Sequence, residues 1–237
     1  MRKNGTWILL LARNAARVRQ AANKLILATC FVFAVIVALP AGATAQVVVA
    51  NIQFVNVVNL RSDPAGCLVL VLDAIQQTGK LANGAPSPLV PNFKSASFFV
   101  YRAVEQCDAE TLNPSETIAT GSTDQFQLTI DSKLTNGVLQ GTIPTDPGSS
   151  FAALIVNISF QGITGQLSPF RGTQTVSPGL GGNQTVVAHV NGYTRPAQMS
   201  GTALGGGVDF IATPFSSTAT LTVETIRFVQ AKNLLLR

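Results

Sequence analysis

The sequence has few of the side chains that usually carry catalysis or bind metals. Its 237 residues include one histidine, three cysteines and one tryptophan, and only 11% of them are charged. Zinc sites need several His or Cys ligands at defined spacings, and His189 is the sole imidazole in the chain. Any Ser-His-Asp or Cys-His mechanism would have to use His189, yet no Gly-x-Ser-x-Gly motif occurs. We therefore predict no metal site, no cofactor and no catalytic residue, and we place His189 on a strand in a structural role.

The acidic residues are too dispersed to mark a catalytic carboxylate pair. Charged groups on strands usually form the solvated face of a sheet, and no Asp-x-Asp-x-Asp-Gly calcium loop occurs. A secreted hydrolase that uses His189 or scattered carboxylates is kept as an alternative. The acidic residues on or beside predicted strands are Asp73, Asp124, Asp131, Asp209 and Glu224.

The first 45 residues contain the three parts of a secretory signal segment in order. Six basic residues lie in 1–24, an uncharged apolar run covers 25–39, and Pro40 precedes the small-x-small site Ala43-Thr44-Ala45. We predict a signal peptide of residues 1–45 with cleavage after Ala45, and export to the periplasm, the cell surface or the medium. The alternative is a protein anchored in the membrane through 25–39, although about 20 apolar residues are needed to cross a bilayer.

Removal of that segment changes the charge balance. The chain from 46 to 237 carries ten Lys and Arg residues against eleven Asp and Glu residues, a formal charge of −1. A nucleic-acid-binding protein is expected to be basic. We therefore exclude nucleic acid and expect a cell-surface or extracellular ligand, whose identity the sequence does not specify. The sole tryptophan is Trp7, so a sugar-binding platform of stacked aromatic faces is not expected either.

The two cysteines beyond the signal segment, Cys67 and Cys107, form one potential pair. An even cysteine count in an exported chain predicts a disulfide. The bridge would close a loop of about 40 residues, for which chain-entropy arguments give roughly 4 kcal/mol of stabilisation.

Turn residues recur along the chain from 46 to 237, and the apolar residues between them alternate or form short runs. This pattern is typical of all-β proteins. We predict a single all-β domain over 46–237, a β-sandwich of about nine or ten mostly antiparallel strands, with a β-barrel as the alternative. The predicted strands are 46–60, 67–75, 95–104, 126–130, 138–143, 151–160, 185–190, 198–204, 208–212 and 218–229, with Asn136-Gly137 as a hairpin turn and 162–183 as a long loop or short edge strands.

The export signal, the cysteine pair with 39 residues between its members, and strands to the end of the chain together resemble chaperone-assembled fimbrial subunits. The resemblance covers 46–107. Those subunits close with a strand that bears a near-terminal tyrosine, whereas this chain ends Asn233-Leu234-Leu235-Leu236-Arg237. No residue role is carried across from the family.

Tyr193 and Arg195 are the candidate ligand-binding residues. They lie in 191–196, which reads as a turn after a strand, and loops between strands are common recognition sites. We predict a secreted, non-catalytic protein with a binding or surface-structural role. The alternatives are a small outer-membrane-type β-barrel or a fimbrial-subunit-like protein, and a secreted hydrolase.

Overall fold

The computed structural model describes residues 47–63, 66–87, 90–103, 114–176, 184–212, 214 and 216–232. The predicted signal segment 1–45 and Cys107 lie outside these residues. Within the described ranges the chain forms eleven β-strands and no helix, which confirms the all-β prediction. No helix in this part of the chain has the length and apolarity to span a membrane.

All eleven strands join one antiparallel sheet. Its order is β4-β3-β2-β1-β11-β9-β7-β6-β5, and β8 and β10 pair with β9 outside this path. The strands are β1 Val47–Asp63, β2 Gly66–Leu81, β3 Phe93–Ala103, β4 Pro114–Thr123, β5 Phe126–Ile130, β6 Asn136–Pro144, β7 Ala153–Gly162, β8 Ser168–Val176, β9 Gln184–Gly205, β10 Val208–Asp209 and β11 Ser216–Lys232.

The sheet folds back on itself so that β4 approaches β6. Gly121 of β4 forms an isolated bridge with Thr145, one residue after β6. The amide of Asp146 donates to the carbonyl of Thr120 at 2.8 Å. Apolar side chains between the facing parts form the main core. The two layers of strands that enclose this core therefore belong to one continuous sheet.

Alternation along each strand decides which face contributes to that core. Side chains two residues apart share a face, as do directly paired residues of neighbouring strands. Val55 and Val57 of β1 belong to the main core, and so do Ala219 and Leu221 of β11. We call this surface the core-side face. Burial of each large aliphatic side chain stabilises the fold by about 1.5–3 kcal/mol, and the large, fully buried members of this core include Leu70, Leu72, Leu134, Leu139, Ile143, Leu154, Ile158 and Leu221.

The predicted hairpin of 126–130 and 138–143 is confirmed, but its predicted turn is wrong. Asn136 and Gly137 are the first residues of β6 and pair with β7. The turn lies at 131–135, where Asp131 accepts hydrogen bonds from the amides of Thr135 and Asn136. Leu134 has a φ of 55° and is fully buried. The Asp131 carboxylate therefore replaces the Asn-Gly pair as the organiser of the turn.

The prediction of two strands, 185–190 and 198–204, is also wrong, because β9 runs unbroken over 22 residues. Its Pro196 lacks an amide hydrogen, which normally ends a central strand. The loss is tolerated because β9 changes partner there: Thr194 pairs with Ser168 of β8, and Ala197 pairs with Gly162 of β7. Between these two paired regions, the carbonyl of Pro196 accepts a 2.8 Å hydrogen bond from the amide of Ile163.

The predicted long loop or short edge strands of 162–183 contain one edge strand, β8, which pairs only with β9 among the described residues. The predicted strand 208–212 is reduced to β10. Side chains of β1 hold this short segment: Asn59 Nδ2 donates to the carbonyl of Phe210 at 2.5 Å, and an Arg61 guanidinium nitrogen donates to that of Asp209 at 2.7 Å.

Candidate functional site: the open half of the sheet

The described residues cover the core-side face along only part of its length. Gln53 Nε2 donates to the carbonyl of Ile130 at 2.9 Å, where the end of β5 reaches β1. On one side of this bond the face is apolar and buried around Val55 and Val57. On the other side Asn51 is exposed, and Val47 and Val49 are half-buried. We call this uncovered part of β8, β9, β11, β1 and β2, together with Lys94 at the start of β3, the open face.

Cross-strand pairing arranges the side chains of the open face in three rows, each running from β8 to β2. The first row is Thr173, His189, Arg227, Val49 and Lys80. The second row is Arg171, Asn191, Thr225, Asn51 and Thr78. The third row is Pro169, Tyr193, Val223, Gln53 and Gln76, and Lys94 of β3 pairs with the last of these.

The charge on the open face has one sign. Arg171, Arg227, Lys80 and Lys94 are all exposed. None of the described residues in the three rows is Asp or Glu. The chain from 46 onward has a formal charge of −1, so positive charge is concentrated on this surface although the whole is nearly neutral. Such a surface attracts anions.

Two contacts connect neighbouring strands within the open face. Thr225 Oγ1 donates to Asn51 Oδ1 at 3.2 Å between β11 and β1. Thr173 Oγ1 lies 3.3 Å from His189 Nδ1 between β8 and β9. Side-chain amides and hydroxyls of this kind both donate and accept, so the surface can bind a ligand with many hydroxyl groups.

A shallow hollow lies at each side of the open face. The hollow at the β8 side has a volume of about 350 Å³ and includes Arg171, Thr173, His189 and Asn191. The hollow at the β2 side has a volume of about 480 Å³ and is lined by Gln76, Gln77, Thr78, Asn92, Phe93, Lys94 and Asp124. Both are lined mainly by polar side chains, and Asp124 is the single acid among these lining residues.

The structure places both predicted ligand-binding residues on the core-side face of β9, in the middle of a strand rather than in the predicted turn. Tyr193 is 43% exposed and belongs to the open face. Arg195 lies at its border and is half-buried. A Cβ added to Gly162 would lie 2.5 Å from Arg195 Cδ, which shows how closely the side chain crosses β7. The Nε of Arg195 is buried and has no hydrogen-bond partner among the described residues.

Gly192, which also lies in the predicted turn 191–196, has a packing role. It pairs with Phe170 of β8, and a Cβ at this glycine would lie 2.2 Å from the Phe170 ring. The aromatic ring therefore packs over the glycine on the face opposite to Tyr193. Cross-strand packing of this kind stabilises a glycine within a strand.

The candidate catalytic groups do not come together. His189 lies on a strand as predicted and is exposed, with Arg227 and Thr173 as its cross-strand neighbours. Asp73 and Glu224 lie on the face opposite to the core. Burial raises the pKa of both carboxyls, and for Asp73 a 2.8 Å hydrogen bond from Asn56 Nδ2 lowers it in part. No group of three His, Cys, Asp or Glu side chains that could hold a metal is found in the described ranges.

Cys67 is buried at the start of β2 and packs in a second cluster with Leu60, Val69 and Tyr101. Its Cα pairs with that of Ala103 at the end of β3. Cys107 lies outside the described residues, four positions after Ala103, and four extended residues span up to about 14 Å. The disulfide stays a prediction, and the position of Cys67 is compatible with it.

Sequence reasoning missed the open face, apart from Tyr193. One signal was present in β1, where the same face changes from Asn51 and Gln53 to Val55 and Val57. The β9 strand has a related pattern, since His189, Asn191 and Tyr193 alternate with smaller residues. Splitting each long strand into two faces would have revealed a polar surface that continues into an apolar core.

Comparisons with known proteins assign no family to the chain. No protein-family model and no curated protein match the sequence. Among solved structures, the enduracididine biosynthesis enzyme MppR in complex with pyruvate shows 11% identity and a TM-score of 0.28, covering 84% of this chain and 96% of that one. The same enzyme with HEPES buffer bound shows 10% identity and a TM-score of 0.26, covering 84% and 98%. These scores are too low to transfer a fold or an activity.

Proposed function

We propose that this protein is exported and acts without catalysis, binding a polar ligand outside the cytoplasm through the open face. The observation that carries the proposal is the change of the core-side face from apolar to polar at the Gln53–Ile130 hydrogen bond. A sheet face that continues past the core and stays exposed offers a broad, preorganised surface. Residues held on strands keep such a surface rigid.

Two sequence features support export. Residues 1–45 have the order of a signal peptide, with cleavage after Ala45. Cys67 and Cys107 form the one cysteine pair beyond this segment, and a disulfide between them would suit an oxidising compartment.

The surroundings of the polar groups support binding rather than catalysis. A general base needs a partner that orients it, usually a carboxylate. His189 has a hydroxyl and a guanidinium as its cross-strand neighbours, and the hollow beside it is shallow. The exposed Tyr193 and the amides of Asn51 and Asn191 are suited to contact a ligand surface.

Export is tested by the intact mass of the protein from each cell fraction and from the medium, measured with and without reductant. We expect a soluble species that begins at Gln46 and gains about 2 Da on reduction, the two hydrogens of one cleaved disulfide. An uncleaved chain in the membrane fraction would contradict export and favour anchorage through 25–39.

Binding is tested by titrating the protein with a panel of charged and neutral oligosaccharides. Tyr193→Ala should weaken the binding of any ligand found, because its exposed ring lies within the open face. The matched control is Leu204→Ala, which removes a side chain that is 40% exposed on the other face of β9. Equal effects of the two variants, or turnover of the ligands by the wild type, would contradict the proposed function.

A further inference from the structure

The four cations of the open face are spread across the sheet instead of meeting at one point. Arg171 is on β8, Arg227 on β11, Lys80 on β2 and Lys94 on β3. Two strand spacings separate β8 from β11, and two more separate β11 from β2. Because neighbouring strands lie about 4.8 Å apart, the first three cations are separated by about 10 Å across the strands. Arg171 is also offset by two residues along the strand direction from the row of Arg227 and Lys80.

This distribution suits a long anion rather than a compact one. A phosphate or sulfate ion needs several donors that converge on it. Here the cations are spread over several strands, and the hollows at the two sides of the open face are shallow. An extended polymer with regularly placed negative charges would meet successive cations as it crosses the strands.

The groups between the cations indicate which polyanion would bind. Asn51, Asn191 and Gln53 carry side-chain amides, and Thr225 a hydroxyl, which together donate and accept hydrogen bonds. These side-chain amides and this hydroxyl can form hydrogen bonds with the hydroxyl groups of sugars. Single-stranded nucleic acid is usually held by several stacked aromatic rings, and an anionic membrane by inserted apolar side chains. Tyr193 is the single Phe, Tyr or Trp residue in the three rows, His189 adds one imidazole, and the apolar residues are Val49, Val223 and Pro169.

We infer that the ligand of the open face is an acidic polysaccharide, bound across the strands by salt-sensitive contacts from Arg171, Arg227 and Lys80 to its carboxylates. The inference rests on the proposed function and adds the chemical class of the ligand. Charge and hydroxyl recognition, rather than ring stacking, supply the affinity. Because the contacts are charged and exposed, salt weakens them.

The test uses the soluble chain from 46 to 237 and a linear polyuronate, polygalacturonate. Its fully methyl-esterified form has the same backbone without the charge and is the matched control ligand. We expect the double variant Arg171→Gln/Arg227→Gln to bind polygalacturonate roughly tenfold or more weakly than the wild type does. We expect a similar loss when the wild type is given the methyl-esterified polymer. The control double variant, Gln127→Glu/Gln161→Glu, makes the same change in net charge with exposed residues on the opposite face, and it should bind like the wild type.

The outcomes separate the two claims. One outcome is that the esterified and charged polymers bind equally, and that Tyr193→Ala weakens this binding while the arginine variant does not. That result would leave the proposed function standing, but would overturn the inference of an acidic ligand. Tighter binding of single-stranded DNA or of phosphatidylglycerol vesicles than of polygalacturonate would also overturn it. Failure to bind polygalacturonate would overturn the acidic ligand, and hydrolysis of any of the polymers by the wild type would overturn both claims.

Discussion

Gln53 and Ile130 are 77 positions apart in the sequence, and the 2.9 Å hydrogen bond between them joins β1 to the end of β5. It marks the line at which the covered and uncovered parts of the core-side face meet. Leu134, in the turn just beyond Ile130, is fully buried, and its carbonyl lies against Gly162. The turn after β5 therefore closes the core and leaves the open face exposed.

Gly162→Ala should lower the free energy of unfolding by about 1–3 kcal/mol, the usual cost of overpacking. The added Cβ would lie 2.0 Å from the carbonyl oxygen of Leu134 and 2.5 Å from Arg195 Cδ. Urea denaturation measures the change. Gly172→Ala is the control, because its Cβ would meet no atom within 4 Å, and its effect should stay within about 0.5 kcal/mol. Equal effects would show that the turn does not press on β7.

Leu134→Ala should reduce the free energy of unfolding by about 2–5 kcal/mol, because it leaves a cavity at the end of the core. The side chain is fully buried, whereas Ile155 of β7 is 52% exposed. Ile155→Ala, measured by the same denaturant titration, should therefore cost much less. A small effect of Leu134→Ala would mean that the turn does not seal the core.

Asp131→Asn should destabilise the protein in a pH-dependent way. Burial acts to raise the pKa of Asp131, but hydrogen bonds from Thr135, Asn136 and Lys133 outweigh it and lower the pKa from 3.8 to about 2. The folded state thus gains stability from the carboxylate above pH 3.8 and loses it as the pH falls toward 2. After allowance for solvent screening, we expect a cost of about 1 kcal/mol at pH 7.

The check on Asp131→Asn is urea unfolding of wild type and variant between pH 2 and 7. The difference in free energy should be constant above about pH 5 and should shrink as the pH approaches 2. A difference that does not change over this range would contradict the role of the Asp131 charge in the turn.

Glu224→Gln should change stability in the opposite direction and raise the free energy of unfolding at neutral pH. Burial raises the pKa of this carboxyl above its ordinary value of 4.5, so the unfolded chain releases the proton first. Stability from the protonated group is fully present below 4.5 and is lost as the pH rises through the folded-state pKa. In urea unfolding, the variant should have a higher free energy of unfolding than the wild type at pH 7 and the same value at pH 4. Asp124→Asn, at an exposed carboxyl, should show no such gain.

Sequence patterns predicted the strands more successfully than their connections. The alternation of Phe126, Leu128 and Ile130 gave the right faces because one face is buried and the other is solvated. The continuity of β9 depended on contacts between residues distant in sequence. Pro196 stays within a strand because β8 ends and β7 begins opposite it, and no local signal reports that change of partner.

The open face could be predicted only in part. Tyr193, a candidate ligand-binding residue in the sequence, lies on this face, although in a strand and not in the predicted turn. Arg171, Arg227 and Lys80 are far apart in the sequence, and only the strand order β8-β9-β11-β1-β2 brings them to one surface. A rule based on local spacing cannot detect such a cluster, because pairing between distant strands creates it.

The most direct test of the open face as a binding surface is residue-specific NMR mapping of the chain from 46 to 237 during titration with a short oligogalacturonate. We predict amide shift changes confined to β8, β9, β11, β1 and β2 around Asn51, Asn191 and Arg227, reversed by added salt. Changes centred on the opposite face, around Phe99 and Tyr101, would contradict the proposal, as would a titration in which no amide signal moves.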